Sequence, residues 1–245
     1  MDFYTVLSSY YDDIFEKNEK AIQLIRGKVP QKENARLLDL AAGTGEEAIA
    51  LAKEGFHVTA TDMNENMVEI MKSKIEMKEI PLVIKKMDMG ELAGTPFKNF
   101  DGIYCIGNSF VHLKNKENMI DLLNAVYEKL NTGGVFVMQI VNYDRVLSQK
   151  ITHLPVIVNQ EKGLRFERFY KETVADFRFQ MRLTLELEGN FKVLESETSL
   201  TPLTKEDLVS VVDASSFNKY DLFGSFKMTE YTTDSPALVA VLTKR

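Results

Sequence analysis

The first 150 residues alternate between short apolar runs and segments whose apolar residues recur every three to four positions. The runs have the length of buried strands and cover residues 36–40, 57–61, 82–84, 102–106 and 135–141. The periodic segments predict helices at about 46–54, from Asn64 to about 75, and at about 119–130. Strands that alternate with helices in this way predict a parallel sheet with helices on both faces.

After about residue 164 the pattern changes to a period of two. From Phe177 to Leu187 every second residue is apolar and the residues between are polar, which predicts an antiparallel strand with one face in water. A second strand at 191–200, a helix from about Thr204 and strands at 220–226 and 237–242 follow. We therefore predict an α/β fold: an open, mostly parallel seven-stranded sheet that carries a small antiparallel β extension.

The change of period marks the expected division of the chain, since no repeat, low-complexity tract or Pro/Gly/Ser-rich linker divides it. We expect an α/β core at 1–150, the antiparallel extension at 151–202, and a C-terminal helix and strands at 203–245 that complete the core sheet.

Composition narrows the class of protein. The 245 residues are 44% hydrophobic and 27% charged with a net charge of −6, which excludes wholesale disorder and argues against a broad nucleic-acid or lipid surface. One cysteine, Cys105, and three scattered histidines predict no internal disulfide and no metal site. The sequence has no membrane-length apolar run and no signal-peptide pattern. We expect a cytoplasmic enzyme or binding protein; whether it forms a homo-oligomer stays open.

A glycine loop connects the first strand to the first helix. Gly43 and Gly45 permit a close backbone approach, and the helix that follows offers free N–H groups. Asp62 ends the second strand, where nucleotide-binding sheets place a carboxylate for ribose hydroxyls. The order of these features predicts a nucleotide cofactor; the alternative is that the glycines only form a sharp turn.

The charges around this loop favour one cofactor over another. Residues 43–48 satisfy the relaxed G-x-G-x-x-A pattern, so an NAD-dependent oxidoreductase is one alternative. Asp39, Glu46 and Glu47 would repel a pyrophosphate, whereas S-adenosylmethionine carries two cations, a sulfonium and an ammonium group. The negative charge near the loop therefore favours S-adenosylmethionine over NAD. A non-catalytic S-adenosylmethionine-binding protein is a further alternative.

Several segments also resemble a known family. Residues 39–45 (DLAAGTG), 58–62 (VTATD), 88–89 (DM) and 133–134 (GG) are similar to the ordered motifs of class I S-adenosylmethionine-dependent methyltransferases, which have a Rossmann-like sheet. Residues 100–113 and 141–147 resemble segments of glycine N-methyltransferases and their glycine/sarcosine relatives. The first motif departs from many members by having Ala41 and Ala42 in place of Gly-Cys.

The resemblance implies a role for each matching residue around S-adenosylmethionine. The methionine part would lie against Ala41, Gly43 and Gly45, near the carboxylate of Asp39. Asp62 would hold the ribose hydroxyls, and Tyr11, with Tyr10 before it, resembles tyrosines that close over the cofactor. The residues implied to surround adenine and the far side of the cofactor are Met63, Asp88, Met89, Ile106 and Gly107.

Transfer of a methyl group from a sulfonium is a direct displacement, so the protein mainly has to align the groups and exclude water. The candidates near the methyl group follow the fourth and fifth strands: Asn108, Ser109, His112, Asn142 and Tyr143. Ser109-Phe110 stand where enzymes acting on exocyclic base amines have prolines, which argues, with the acidic balance, against a nucleic-acid substrate. We expect a small-molecule acceptor that is methylated at nitrogen.

Arg168 is the remaining candidate. Alternation along its strand places Phe166, Arg168 and Tyr170 on one face. A guanidinium among aromatic rings needs a partner, which could be a carboxylate of the acceptor or a glutamate of a neighbouring strand.

Overall fold

The computed structural model describes residues 3–30, 33–77, 80–173, 176–187 and 189–245. The helices are α1 (Phe3–Ser9), α2 (Tyr11–Ile14), α3 (Glu19–Lys28), α4 (Glu46–Lys53), α5 (Glu65–Glu76), α6 (Lys116–Lys129), α7 (Tyr143–Ser148) and α8 (Lys205–Asp213). The strands are β1 (Arg36–Leu40), β2 (His57–Asp62), β3 (Leu82–Lys86), β4 (Phe100–Cys105), β5 (Leu130–Val141), β6 (Ile157–Asn159), β7 (Leu164–Glu172), β8 (Phe177–Leu187), β9 (Asn190–Leu200), β10 (Tyr220–Phe223) and β11 (Ala237–Thr243). Short 3₁₀ helices cover Met89–Gly94 and Ser109–His112.

The core is a seven-stranded sheet in the order β10-β11-β5-β4-β1-β2-β3. Neighbours from β5 to β3 are parallel, and β11 runs antiparallel to both β5 and β10. Two buried hydrophobic clusters, one centred on Phe100 and Phe136 and the other on Leu37 and Tyr104, contain residues from the sheet and the core helices. The predicted mostly parallel, seven-stranded α/β sheet is confirmed.

The strand order reverses between β1 and β4. The chain passes from β1 outward through β2 to β3 and then returns to β4 on the other side of β1. Where the loops after two neighbouring strands run in opposite directions, a crevice forms at the carboxyl ends of those strands. Open α/β sheets bind their ligands in this crevice. The loops after Leu40 and after Cys105 flank this crevice.

The extension is a separate four-stranded antiparallel sheet in the order β6-β7-β8-β9. Its apolar face packs on the N-terminal helices: Phe3, Val6, Leu7 and Ile14 form one cluster with Leu164, Phe166, Met181, Leu183 and Leu185. The predicted antiparallel extension is therefore present. Leu187, the last apolar residue of the alternating stripe, is exposed at the hairpin end.

Some element boundaries differ from the prediction. Helix α6 begins at Lys116, three residues early, because the Asn115 side chain caps it by accepting from the Asn118 N–H. Strand β10 ends at Phe223 rather than 226, because the Gly224 N–H already bonds across a loop to the Thr229 carbonyl. Among the described residues no helix is long and apolar enough to cross a membrane.

Candidate active site

A cavity of about 370 Å³ occupies the crevice at the reversal of the strand order. It brings together these residues singled out from the sequence: Tyr11, Asp39, Ala41, Glu46, Glu47, Ile106, Gly107, Asn108, Ser109, His112 and Arg168. Gly43, Gly45, Asp62, Met63, Asp88, Met89 and Asn142 are not among the residues that line it.

Opposite charges line different parts of this cavity. Asp39, Glu46 and Glu47 come from β1 and the start of α4, and Glu16 comes from the N-terminal segment. The guanidinium of Arg168 comes from β7 in the extension. The acidic lining suits a cationic ligand beside the glycine loop, while Arg168 suits an anionic group on the side that the extension contributes.

The glycine loop has no room for larger residues. Gly45 has a φ of +82°, and a Cβ there would lie 2.6 Å from Met71 Cγ. Gly43 has a φ of +57°, and a Cβ there would lie 3.2 Å from the Tyr11 ring. Ala41 also has a positive φ, +60°, a conformation that costs an L-residue roughly 1–2 kcal/mol. The loop is therefore shaped for close backbone approach even where alanine replaces glycine.

Asp39 is the most deeply buried acidic residue of the cavity wall. Its side chain is on β1 and the residue is 2% exposed. Burial and the nearby carboxylate of Glu47 raise the pKa of Asp39 well above its usual range, although the Tyr104 hydroxyl opposes this rise. A buried carboxyl with a raised pKa gains stability from a nearby cation, so the wall fits the sulfonium and ammonium groups of S-adenosylmethionine better than a pyrophosphate.

Asp62 lies directly under the glycine loop and is 8% exposed. Its two carboxylate oxygens accept hydrogen bonds from the Gly43 and Asn64 N–H groups, both at 2.8 Å. Each oxygen keeps one further acceptor position, because a carboxylate oxygen has two lone pairs. The carboxylate thus shapes the loop and keeps the capacity to accept from ribose hydroxyls.

We expect Asp62→Ala to weaken binding of S-adenosylhomocysteine by about 1.5–3 kcal/mol, the range for hydrogen bonds to charged groups. Calorimetry of the cofactor product measures this change. Asp62→Asn separates the shaping of the loop from the binding of ribose, because asparagine keeps an acceptor for one loop N–H but loses the charge. If both variants bind as the wild type does, Asp62 has no part in the ribose site.

The ends of β4 and β5 are fastened to each other beside the cavity. Gly107 and Asn108 both have positive φ, and the Gly107 N–H donates to the Gln139 side chain at 2.9 Å. The Asn108 amide accepts from the Val141 N–H at 2.9 Å and donates to the Tyr143 hydroxyl at 3.1 Å. The Asn108 side chain therefore lines the cavity and holds the two strand ends in register.

Asn142 requires a correction, because it does not reach the cavity. It is 1% exposed, and its Oδ1 accepts from the Arg145 N–H as the N-cap of α7 and from the Tyr231 hydroxyl. Its Nδ2 donates to the carbonyl oxygens of Thr232, Thr233 and Ser235. The amide is fully engaged in fixing the loop before β11, so we withdraw Asn142 from the candidates for catalysis.

The residues expected around adenine lie on loops after β2 and β3. Met63 is 66% exposed, which excludes a core-filling role for it. Met89, by contrast, packs against the hydrophobic core. Asp88 caps a 3₁₀ helix by accepting from the Gly90 N–H at 2.9 Å. Their contacts with adenine stay predictions.

His112 ends the 3₁₀ helix after β4 and lines the cavity. Desolvation by the surrounding wall lowers the pKa of its imidazole below the usual 6.5. The ring is consequently neutral at pH 7 and can accept a proton.

Arg168 extends from β7 into the cavity among aromatic rings. Its guanidinium carbon lies 5.9 Å from the Phe15 ring centre and 5.8 Å from that of Phe166, and Nη2 donates to the Pro155 carbonyl at 3.0 Å. Its Nε is buried without a hydrogen-bond partner. No carboxylate among the described residues forms an ion pair with Arg168, so the alternative of a glutamate partner from a neighbouring strand finds no support.

Several residues of the cavity wall were not singled out from the sequence: Phe15, Glu16, Asn18, Thr44, Gln139, Leu154, Phe179 and Phe226. Gln139 had a signal, since it is the one polar residue within the apolar run 135–141. Phe15 had none, because only the packing of the N-terminal helices against the extension brings it to Arg168.

Comparison with known proteins agrees with this fold. Residues 37–134 match the family described as a methyltransferase domain. A putative methyltransferase of Bacillus subtilis is 30% identical over 139 residues, which cover 56% of this chain and 55% of that protein. A glycine/sarcosine N-methyltransferase of Halorhodospira halochloris is 26% identical over 210 residues, covering 85% of this chain and 75% of that protein. The chain spans about half the length of the first curated relatives it matches.

A solved S-adenosylmethionine-dependent methyltransferase from Clostridium acetobutylicum superposes with a TM-score of 0.83 at 17% identity, covering 98% of both chains. This likeness establishes the fold. Residues 37–134 thus match a methyltransferase domain, and the chain has the class I S-adenosylmethionine-dependent methyltransferase fold, so the resemblance found in the sequence is confirmed. S-adenosylmethionine is the cofactor of this class.

Proposed function

We propose that the protein transfers a methyl group from S-adenosylmethionine to a nitrogen atom of a small-molecule acceptor. The observation that carries the proposal is one cavity lined both by acidic residues from the core and by Arg168 from the extension. The glycine/sarcosine N-methyltransferases among the similar proteins support nitrogen as the site of methylation.

The core side of the cavity would hold the cofactor. Asp39 would balance the positive charges of the cofactor, and Asp62 would accept hydrogen bonds from its ribose hydroxyls. The absence of side chains at Gly43 and Gly45 would allow the cofactor to approach the backbone closely. When bound, S-adenosylmethionine supplies an electrophilic methyl group on a positively charged sulfur. The residues after β4 and β5 would align the acceptor, and alignment of this kind is worth about 7–11 kcal/mol.

The acceptor side would be formed by Asn108, His112, Arg168 and Tyr170. An acceptor amine that is protonated in water must lose a proton before its nitrogen can attack the methyl group, and the His112 imidazole, which lines the same cavity, would accept that proton. Arg168 would bind an anionic group of the acceptor through its guanidinium, whose Nε–H has no hydrogen-bond partner. The division at 1–150, 151–202 and 203–245 then separates a cofactor core from an acceptor-binding extension.

The proposal is tested in two steps. First, we expect S-adenosylhomocysteine, and not NADH, to raise the melting temperature of the protein, because only the former complements the acidic wall. Second, tritiated S-adenosylmethionine is incubated with a panel of primary and secondary amines, with and without carboxylate or phosphate groups, and labelled product is measured. Stabilisation by NADH alone would favour the oxidoreductase. Cofactor binding without transfer to any amine would favour the non-catalytic binding protein.

A further inference from the structure

Asp12 joins the N-terminal helices to the glycine loop. Its carboxylate accepts a hydrogen bond from Thr44 Oγ1 at 2.5 Å and forms an ion pair with Lys74 Nζ at 2.6 Å. Asp12 is on α2, Thr44 is in the glycine loop and Lys74 is on α5. One carboxylate therefore connects three segments that are distant in the chain.

Lys74 makes this contact part of a network. Its Nζ also donates to the Thr44 carbonyl at 3.2 Å and pairs with Glu46 at 2.6 Å, and its side chain is only 13% exposed. An isolated, exposed ion pair contributes little to stability. The Lys74 ammonium is shielded and shared among three acceptors, so its contacts are expected to support one another, while the Asp12 side chain is 43% exposed.

Two aromatic residues lie beside this network. Tyr11, next to Asp12, places its ring against Gly43, where a Cβ would be 3.2 Å away. Phe15 packs on Tyr11 with ring centres 4.8 Å apart and lies 5.9 Å from the Arg168 guanidinium. The segment from Tyr11 to Phe15 thus covers the cavity from the glycine loop to the acceptor side.

The segment has few other polar attachments near this cavity. The Asn18 N–H donates to Glu47 at 2.9 Å, and Asn66 donates to the Thr5 hydroxyl at 3.2 Å. Asn18 then caps helix α3, which packs in the core. Residues 15–18 connect α2 to α3 and are called the hinge of this segment.

We propose that Asp12 is a positioning residue that fastens the N-terminal helices over the bound cofactor, and that breaking its contacts with Thr44 and Lys74 limits the rate at which cofactor leaves. This inference rests on the proposed function, because S-adenosylmethionine and S-adenosylhomocysteine are the ligands it concerns. Asp12 acts through Tyr11 and Phe15, which line the cavity, and not by contact with the reacting atoms.

The test measures release of tritiated S-adenosylmethionine after a chase with unlabelled S-adenosylhomocysteine. We expect Asp12→Asn and Lys74→Met each to raise the dissociation rate about tenfold. The double variant should be no faster than the faster single variant, because both changes break the same contact. Asp13→Asn, which removes the same charge one residue along α2, is the control and should stay within twofold of the wild type.

Trypsin cleavage after Lys17 provides a second measurement that needs no cofactor. Lys17 lies in the hinge, so a released N-terminal segment should be cut faster in Asp12→Asn than in the wild type or Asp13→Asn, with melting temperatures nearly equal. A wild type that retains no label would overturn the proposed function and the role in release together. If the wild type retains label but Asp12→Asn releases it at the wild-type rate, or if Asp13→Asn releases it as fast as Asp12→Asn, only the role of Asp12 is overturned and the proposed function stands.

Discussion

Asp39→Asn is expected to weaken S-adenosylmethionine binding about tenfold to a hundredfold while leaving the melting temperature of the cofactor-free protein unchanged or raised. The loss follows because a charged acceptor beside a cation is worth about 1.5–3 kcal/mol. The gain in stability follows because burial raises the pKa of Asp39, so its ionised form is disfavoured in the folded cofactor-free protein. Asparagine removes that penalty and keeps the size and shape of the side chain.

The same physics predicts a pH dependence of cofactor binding. A cation binds the ionised form of Asp39 more tightly, so the affinity of the wild type should rise as pH increases through the raised pKa of this carboxyl. Asp39→Asn should flatten that part of the profile. Calorimetry across pH measures both effects. NADH binding improved by Asp39→Asn, with S-adenosylmethionine binding unchanged, would contradict the choice of cofactor.

Asp101→Asn is a matched control for this experiment. Asp101 is also a 2% exposed carboxylate on a neighbouring strand, but it accepts from the Arg36 N–H and the Asn131 amide at the opposite end of the sheet. The control should change the melting temperature without changing cofactor affinity. A similar loss of affinity in both variants would show a general weakening of the sheet.

Arg168→Lys is expected to lower kcat/KM for an anionic acceptor about tenfold to a hundredfold and to leave cofactor affinity unchanged. Lysine keeps the charge but cannot present the fork of N–H groups that pairs with a carboxylate or phosphate. The loss should appear for acceptors that carry an anionic group and should be small for matched amines that lack it. Methyl transfer from labelled S-adenosylmethionine to such pairs of amines measures the difference.

Arg165→Lys is the control on the same strand. Arg165 lies on the opposite face and pairs with Glu167 at 3.0 Å in an exposed position, so its replacement should have little effect. A fall in melting temperature for Arg168→Lys with equal losses for both kinds of amine would place Arg168 in the scaffold. We expect that outcome if Arg168 serves only to pack against Phe15 and Phe166 and to donate to the Pro155 carbonyl.

The amino-acid sequence by itself determined the elements that depend on neighbouring residues. The alternation from Phe177 to Leu187 indicated β8, and Asn64 caps α5 through the N–H groups of Asn66 and Met67 as expected. The glycine loop was readable because Gly43 and Gly45 stand between a strand and a helix, and both adopt the positive φ that glycine favours. Periodicity, capping and turn chemistry act over a few residues, so the sequence displays them directly.

Only the tertiary structure decided which side chains share the cavity. Asn142 follows a core strand and was a reasonable candidate, but the loop around Thr232 approaches from ninety residues away and takes up its amide. Phe15 gave no signal and yet packs on Arg168, about 150 residues distant in the chain. Such contacts depend on how an extension and an N-terminal helix pack on the sheet, and a hydrophobic pattern specifies which face is buried but not which distant residue it meets.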